Sequence, residues 1–358
     1  MSGKGARVST WEASLLVAGS VFIAFLLGEV GIRIVHPSAS LWRYPNYIAL
    51  ATRPDPDQPT EVLRYDPLLG WAPQPGASGI LMHQPISYSA DGLRNQNRGL
   101  DLAVGRPLLV VGDSYTEGFG VKGDESWPAH LERTPRRRVL NGAVRGYGLD
   151  QMILRAEVLA EAFKPDAIVV GFIALDIGRS AVSIFESAHK PYFVAVGDRL
   201  DLMNVPVPTT PVTAPQAWPR RILGHSYLLD FIMRRLGATH LWYGADVSTG
   251  QDPEVIACGL MDRLAALVRK HSARGLVVSF PQYNAWTNPT IGVDDRKRTS
   301  VVLTCARSRG LETLDTYDAF AKAGAGNNLD SLYVEWHFND RGNALAAGLI
   351  ADVLRRSP

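Results

Sequence analysis

The chain has 358 residues, enough for one large domain or two small ones. Apolar residues make up 46% and charged residues 20%, a composition typical of globular proteins and not of disordered chains. The formal net charge is +2, so there is no strong electrostatic case for binding nucleic acid.

The first predicted element is an apolar helix that is long enough to cross a membrane. Residues 13–28 carry no charge, and extension to Val35 adds only Glu29 and Arg33. These two residues are spaced i,i+4, so they can pair on one face of the helix near the membrane interface.

The flanks of this helix predict its orientation. Lys4 and Arg7 precede it, which favours a cytoplasmic N-terminus and an exported C-terminal domain. A cleaved signal peptide is the alternative, but residues 38–40, Ser-Ala-Ser, form a poor cleavage site. We therefore predict that residues 1–36 are a cytoplasmic tip followed by an uncleaved transmembrane anchor.

Residues 37–105 are predicted to form an extended linker and flanking segment. Residues 53–59, Arg-Pro-Asp-Pro-Asp-Gln-Pro, leave little room for a helix. The stretches 66–71 and 87–94 are predicted to be short and extended, and we expect this segment to lie against the domain that follows.

The most informative motif follows the first predicted strand of that domain. The run Pro-Leu-Leu-Val-Val at 107–111 is typical of a buried parallel strand, and Gly-Asp-Ser-Tyr-Thr-Glu-Gly-Phe-Gly follows it at 112–120. Ser114 then lies just past the carboxyl end of a strand, where open α/β sheets place their active sites. The motif has no Lys-Ser/Thr pair, which argues against a nucleotide-binding loop.

From residue 107 onward, predicted strands and helices alternate, which indicates a parallel sheet flanked by helices. The predicted strands are 107–111, 138–140, 167–172, 275–280 and 311–314, and helices are predicted after Ser126, at 150–163 and at 344–356. We therefore predict one α/β domain over residues 106–358.

A long insertion is predicted within this domain at about 180–252. It contains a hairpin, in which 192–196 and 199–202 flank the turn Gly197-Asp198, then a proline-rich loop and several aromatic residues. A lid or substrate rim that faces carbohydrate and an ordinary satellite core are both consistent with this composition.

The two cysteines, Cys258 and Cys305, lie in separate apolar helical stretches and lack metal-ligand spacing. We expect buried free thiols. A disulfide that links the two helices is the alternative if the domain is outside the cytoplasm. No metal constellation is visible in the sequence, and no cofactor is expected.

The last informative motif is Glu335-Trp-His337-Phe-Asn339, ahead of the C-terminal helix. A serine hydroxyl needs a base to take its proton, and His337 is the candidate because it lies in the loop between the last strand and the final helix. Glu335 is expected to bind the second imidazole nitrogen and orient the ring, with Asp330 as the alternative acid.

Together these motifs resemble the SGNH (GDSL) hydrolase superfamily, from about Tyr65 to the C-terminus. The blocks that carry the resemblance are Val-Gly-Asp-Ser at 111–114, Asn-Gly-Ala-Val-Arg-Gly at 141–146, Ala-Leu-Asp at 174–176 and Glu335-x-His337. Ala143 replaces a glycine of the family, Leu175 an asparagine and Glu335 the usual aspartate. The chain is similar, more narrowly, to the membrane-anchored bacterial branch that includes envelope-polysaccharide acyl-modifying proteins.

The resemblance implies a flavodoxin-like parallel sheet and an oxyanion hole beside the nucleophile. The main-chain N–H of Ser114 is one expected donor, and the N–H of Gly142 or Ala143 is the other. Leu175 has no side-chain donor.

Four charged residues lie within or beside these blocks. Asp176 and Arg179 are the candidate substrate-binding residues: they can pair with each other at the rim, or Arg179 can hold an anionic substrate. Asp113 is expected to brace its loop by accepting main-chain N–H groups. Glu117 either lines the entrance or is simply solvated.

The predicted function is that of a membrane-anchored SGNH-type serine hydrolase acting on ester bonds. We expect an acyl esterase, specifically an acetyl esterase, on an envelope glycan or lipid, with its catalytic domain on the periplasmic or extracellular side. One alternative is a polysaccharide O-acyltransferase supplied by a membrane acyl-donor partner. The other is a catalytically inactive glycan-binding or assembly protein, which Ala143 and Leu175 favour.

Overall fold

The computed structural model describes residues 9–35, 41–48, 62–96, 103–133, 137–186, 188–209, 218–236, 238, 242, 246–324 and 329–356. By its internal contacts the chain divides into two compact units. The first comprises residues 1–53 and 213–245, and the second comprises residues 54–212 and 246–358. The predicted insertion therefore contributes to both units.

The elements are numbered in chain order. The helices are α1 (Thr10–Val35), α2 (Ser114–Glu117), α3 (Trp127–Arg133), α4 (Leu149–Phe163), α5 (Ala174–Arg179), α6 (Trp218–Leu223), α7 (Tyr227–Arg235), α8 (Pro253–Lys270), α9 (Asn284–Thr287), α10 (Pro289–Ser308), α11 (Tyr317–Ala323) and α12 (Asp340–Arg356). The strands are β1 (Leu63–Asp66), β2 (Gly70–Pro73), β3 (Ser78–Leu81), β4 (Gln84–Ser87), β5 (Ala103–Gly112), β6 (Arg137–Asn141), β7 (Ala167–Phe172), β8 (Val182–Phe185), β9 (Ala188–His189), β10 (Tyr192–Val196), β11 (Arg199–Met203), β12 (Val247–Ser248), β13 (Arg274–Ser279), β14 (Glu312–Asp315), β15 (Tyr333–Val334) and β16 (His337–Phe338).

The second unit is built on a five-stranded parallel sheet with the order β14-β13-β7-β5-β6. Counted along the chain, this is the order 2-1-3-4-5 of flavodoxin-like sheets, read from β6 to β14. The predicted fold is confirmed. All five sheet strands were predicted to within a few residues, and the inner strands β5, β7 and β13 are the clearest because their apolar runs are buried on both faces.

Helices cover both faces of this sheet. On one face, α4, α8 and α10 bury residues such as Met152, Leu260 and Val302 against the strands. On the other face, α3, α11 and α12 bury Trp127 and Phe320 among their neighbours. The carboxyl ends of the strands are left to carry the loops, which is where this class of sheet binds ligands.

A disulfide bond joins Cys258 of α8 to Cys305 of α10, with their Cα atoms 5.3 Å apart. The expectation of free thiols is therefore wrong, and the alternative is correct. The two helices pack side by side on the same face of the sheet, which brings the two Cα atoms within the range that a disulfide requires.

The flanking segment and the insertion add small antiparallel sheets to the second unit. β1 pairs with β2 and β3 pairs with β4, and the predicted hairpin forms from β10 and β11 with Val196 opposite Arg199. Residues 53–59 lie outside the described residues.

The first unit contains α1, residues 41–48, α6 and α7. α1 has a mean hydropathy of 2.2 over its most apolar window, none of which is buried, and it is long and apolar enough to cross a membrane. The predicted pair is confirmed, since Nε of Arg33 lies 2.5 Å from Oε1 of Glu29. Lys4, Arg7 and residues 38–40 lie outside the described residues.

Candidate active site

Ser114 is placed by the turn between β5 and α2. Asp113 caps this short helix, with its Oδ1 accepting the N–H of Tyr115 at 2.9 Å, so it braces the loop as predicted. Gly112 is required at the end of the strand, because a Cβ there would overlap Thr116 and lie 2.6 Å from the carbonyl oxygen of Gly171. Ser114 therefore stands just past the carboxyl end of β5, at the carboxyl edge of the sheet.

His337 meets Ser114 from the opposite end of the chain. Its Nε2 lies 2.9 Å from Oγ of Ser114, and its Nδ1 lies 3.2 Å from the main-chain oxygen of Glu335. The structure thus brings together the predicted nucleophile and the predicted base, with geometry suited to proton transfer.

The group that faces Nδ1 of His337 differs from the expectation. Val334 pairs with His337 across β15 and β16, which leaves Glu335 and Trp336 as a two-residue turn with φ of 45° and 70°. Two successive left-handed residues are the signature of a type I′ turn. Because the turn is this tight, the carbonyl of Glu335 faces the ring while its carboxylate is exposed to solvent.

The expectation that the Glu335 carboxylate orients the ring is therefore corrected to a main-chain carbonyl. The alternative acid, Asp330, is also exposed, and it contributes its own main-chain oxygen to Asn339 at 3.2 Å. The turn is fastened to α2 instead, because the hydroxyl of Tyr115 donates to the main-chain oxygen of Trp336 at 2.5 Å.

Two aromatic rings flank the half-buried imidazole. The ring centroid of His337 is 4.9 Å from that of Tyr115 and 4.6 Å from that of Phe119. This burial lowers the pKa of His337 to about 4, the Glu335 carbonyl opposes that change, and the positive charge of Arg179 lowers the pKa further. His337 is therefore neutral at neutral pH, as a general base must be.

A buried charge cluster lies beside the nucleophile. An Nη atom of Arg179 is 2.6 Å from Oδ1 of Asp176 and 3.5 Å from Oδ2 of Asp113, and the other oxygen of Asp176 accepts the N–H of Ile173 at 2.9 Å. Burial raises the pKa of both carboxyl groups, and that of Asp176 rises further because Asp113 faces it. Asp176 is fully buried and engaged, so it is not available to bind substrate, whereas Arg179 lines the cavity described below.

The expected oxyanion donors of the second block are already engaged. The N–H of Gly142 donates to the carbonyl of Val110 at 2.9 Å, and that of Ala143 donates to Oδ1 of Asn141 at 3.2 Å. The pairing of β6 with β5 thus uses the N–H of Gly142, and the side chain of Asn141 uses that of Ala143, so neither N–H is free for an oxyanion as expected.

A different glycine is the better candidate for the second donor. Within the described part of the chain, the N–H groups of Ser114 and Gly146 have no hydrogen-bond acceptor. Gly146 has φ of 78° and lines the same cavity as Ser114 and His337. It is the last residue of the second block, so its place in the motif was the available signal. Leu175, in the asparagine position, is 49% exposed.

A cavity of about 470 Å³ opens over the pair of catalytic candidates. Its walls come from the flanking segment, the second block, α5, the insertion and the final turn: Leu63, Gly70, Trp71, Ser114, Phe119, Arg145, Gly146, Arg179, Phe185, Glu186, Ala188 and His337. The part of the insertion around Phe185 therefore forms a rim, as one of the two interpretations of its sequence proposed.

Glu117 has a role that the sequence did not indicate. It is fully buried, and its Oε1 accepts from the hydroxyl of Tyr88 at 2.5 Å and lies 3.4 Å from the guanidinium of Arg145. The carboxylate thereby holds the guanidinium of Arg145 at the cavity wall. The sequence could not show this role, because it depends on how the flanking segment folds and brings Tyr88 to Glu117.

Several solved structures are similar to this chain. An acetylxylan esterase from Geobacillus stearothermophilus, solved as a catalytic mutant, is 14% identical, with a TM-score of 0.41 over 70% of this chain and 94% of its own. A lipase/acylhydrolase from Enterococcus faecalis is 14% identical, with a TM-score of 0.39 over 70% and 95%. A lipolytic protein of the G-D-S-L family from Veillonella parvula is 14% identical, with a TM-score of 0.41 over 70% and 99%.

The sequence comparisons give a family. No curated protein matches this chain. The model of the GDSL-like lipase/acylhydrolase family matches residues 110–345, which is more than half of the chain and includes both Ser114 and His337. The chain therefore belongs to the GDSL-like lipase/acylhydrolase family.

Proposed function

We propose that this protein is a membrane-anchored serine esterase that cleaves a short acyl ester, with acetyl as the acyl group, on an envelope glycan or lipid. The observation that carries the proposal is the distance of 2.9 Å between Nε2 of His337 and Oγ of Ser114 inside an open cavity. The length and apolarity of α1 support the proposed anchor, and the basic residues that precede it support the proposed export of the catalytic domain.

The chain's own residues supply the steps of such a reaction. Oγ of Ser114 attacks the ester carbonyl while Nε2 of His337 takes its proton, and the carbonyl of Glu335 holds the Nδ1 proton and so fixes the tautomer. The N–H groups of Ser114 and Gly146 face the developing oxyanion. His337 then returns the proton to the departing alcohol, and water repeats the sequence to release the acid.

The cavity is consistent with a small acyl group and an attached polar alcohol. Its volume of about 470 Å³ lies in the lower part of the range for small-molecule sites. Trp71 and Phe185 offer apolar surfaces, and Arg145 and Arg179 line the same wall. We propose that the rings face the acyl or sugar portion of the substrate and that the arginines face its polar groups.

A fluorophosphonate probe tests the nucleophile directly. We expect labelling of the full-length protein at Ser114, loss of labelling and of acetyl-ester cleavage in Ser114→Ala, and no change in Ser279→Ala. Ser279 is a matched control, because it also ends a parallel strand of the sheet but hydrogen-bonds to Asp315. An unlabelled folded wild-type protein would favour the inactive glycan-binding alternative.

Hydrolysis and acyl transfer share the acyl-enzyme, so they are separated by the fate of the acyl group. With an activated acetyl ester and increasing concentrations of an oligosaccharide acceptor, an esterase releases acetate as the main product. Acetylated oligosaccharide as the main product would replace the esterase by the O-acyltransferase alternative without changing the role of Ser114.

A further inference from the structure

The charged pair near the end of α1 is bound by a neighbouring helix. Glu29 accepts the hydroxyl of Ser226 at 2.8 Å and the N–H groups of Tyr227 and Leu228 at 2.9 Å each, so its carboxylate caps the start of α7. A carboxylate in an apolar helix is costly to bury without partners. α7 supplies those partners.

Arg33 completes this junction. Besides Glu29, its guanidinium donates to the carbonyl oxygens of Arg43 and His225 at 2.8 Å each, and it stacks over the ring of Tyr44 at 4.2 Å from the centroid. The side chain of Arg33 is fully buried. The end of α1 is thus an integral part of the first unit.

The geometry of α1 places this junction at the edge of the bilayer. Trp11 and Glu29 are 18 residues apart, or about 27 Å along a helix, close to the hydrocarbon thickness of about 30 Å. Leu223, the last residue of α6, lines a groove along the charge-free part of α1 with Phe22 and Phe25. The end of α6 therefore lies against the charge-free part of α1, three residues ahead of Ser226, which meets Glu29 where α1 leaves the hydrocarbon.

The exposed side chains of α6 and α7 are of the kinds that favour the headgroup layer of a membrane. Trp218, Ile222 and Leu236 are 75%, 63% and 73% exposed. The segment 218–236 contains four arginines and a single acidic residue, which gives it a formal charge of +3. Exposed apolar side chains among arginines are typical of helices that lie in the membrane interface.

We propose that α6 and α7 form a membrane-surface element that binds the anionic lipid headgroups of the bilayer that α1 spans. The inference rests on the proposed anchor and adds a second membrane contact to it. Continuity with α1 fixes the position of the element, and its positive charge selects anionic lipid.

Hydrogen exchange of the full-length protein in nanodiscs tests this inference. Nanodiscs of phosphatidylcholine alone are compared with nanodiscs that contain phosphatidylglycerol. We expect peptides from 218–236 to exchange more slowly with phosphatidylglycerol, with high salt reversing the effect. Peptides from the hairpin β10–β11 are expected to exchange equally in both.

Charge-reversed variants sharpen the test. Arg221→Glu with Arg235→Glu should reduce the lipid-dependent protection by about fivefold for each residue. The matched control, Arg341→Glu with Arg356→Glu, reverses two exposed arginines of α12. It should leave the lipid-dependent protection of residues 218–236 unchanged. Equal exchange of 218–236 in both lipids, with α1 protected, would overturn the inference alone. An unprotected α1 would overturn the anchor as well, while acetyl-ester cleavage reports separately on the active site.

Discussion

The half-buried position of His337 between two aromatic rings makes a quantitative prediction about acid pH. Its pKa is lowered to about 4 because the rings of Tyr115 and Phe119 shield it from water. The neutral imidazole is the active base, so activity should fall only as the pH drops through about 4. At about pH 5, a base with this pKa is about 90% neutral, whereas one with an ordinary value is about 3% neutral.

Phe119→Ala is the perturbation that tests the cause. Removing a ring whose centroid lies 4.6 Å from that of His337 admits water to the imidazole and raises its pKa toward 6.5. The acid limb of kcat/KM should move upward, so that the rate at about pH 5 falls relative to the plateau of the same variant. Phe163→Ala, at the end of α4, is the matched control and should leave the limb in place.

The assay is hydrolysis of an activated acetyl ester across the acid range, with samples quenched into alkaline buffer before product is read. Circular dichroism at each pH confirms that the protein is folded. An acid limb near the ordinary histidine pKa in the wild type would refute the argument from burial. If Phe119→Ala does not move the acid limb of kcat/KM, the assignment of that limb to His337 is refuted.

Three further outcomes follow from the same contacts. Glu335→Gln should change kcat/KM by less than about twofold in steady-state assays, because the carbonyl remains, whereas His337→Ala should cost on the order of 10²–10⁴. Arg179→Met should lower the free energy of unfolding by about 3–5 kcal/mol in denaturant titrations, because it leaves two buried carboxylates without their cation; an unchanged midpoint would contradict the cluster. Cys258→Ala with Cys305→Ala should lower it by about 4 kcal/mol, the entropy of closing a loop of 47 residues; a loss of less than about 1 kcal/mol would contradict that value.

Features that depend on local pattern were predictable from the sequence. The inner sheet strands β5, β7 and β13 contain apolar runs that are followed by turns, and the cap formed by Asp113 depends on neighbours within two positions. The pair of Glu29 and Arg33 follows from helical spacing alone. The parallel α/β class and the place of Ser114 came from such information, whereas the flavodoxin-like strand order came from the resemblance to a family.

Features that depend on pairing between distant segments were not predictable from the sequence. Whether Glu335 offers its carboxylate or its carbonyl is decided by the register of β15 with β16, and the N–H of Gly142 is engaged because β6 lies beside β5. The bond between Cys258 and Cys305 likewise required the packing of two helices.

The central claim is that Ser114 and His337 act as one nucleophile and base. The most direct measurement is mass spectrometry of the full-length protein after acid quenching of its reaction with an activated acetyl ester. We expect one acetyl group on the peptide that contains Ser114, none there in Ser114→Ala, and much slower formation in His337→Ala. Ester turnover without acetylation of Ser114, or acetylation that His337→Ala does not slow, would contradict the account.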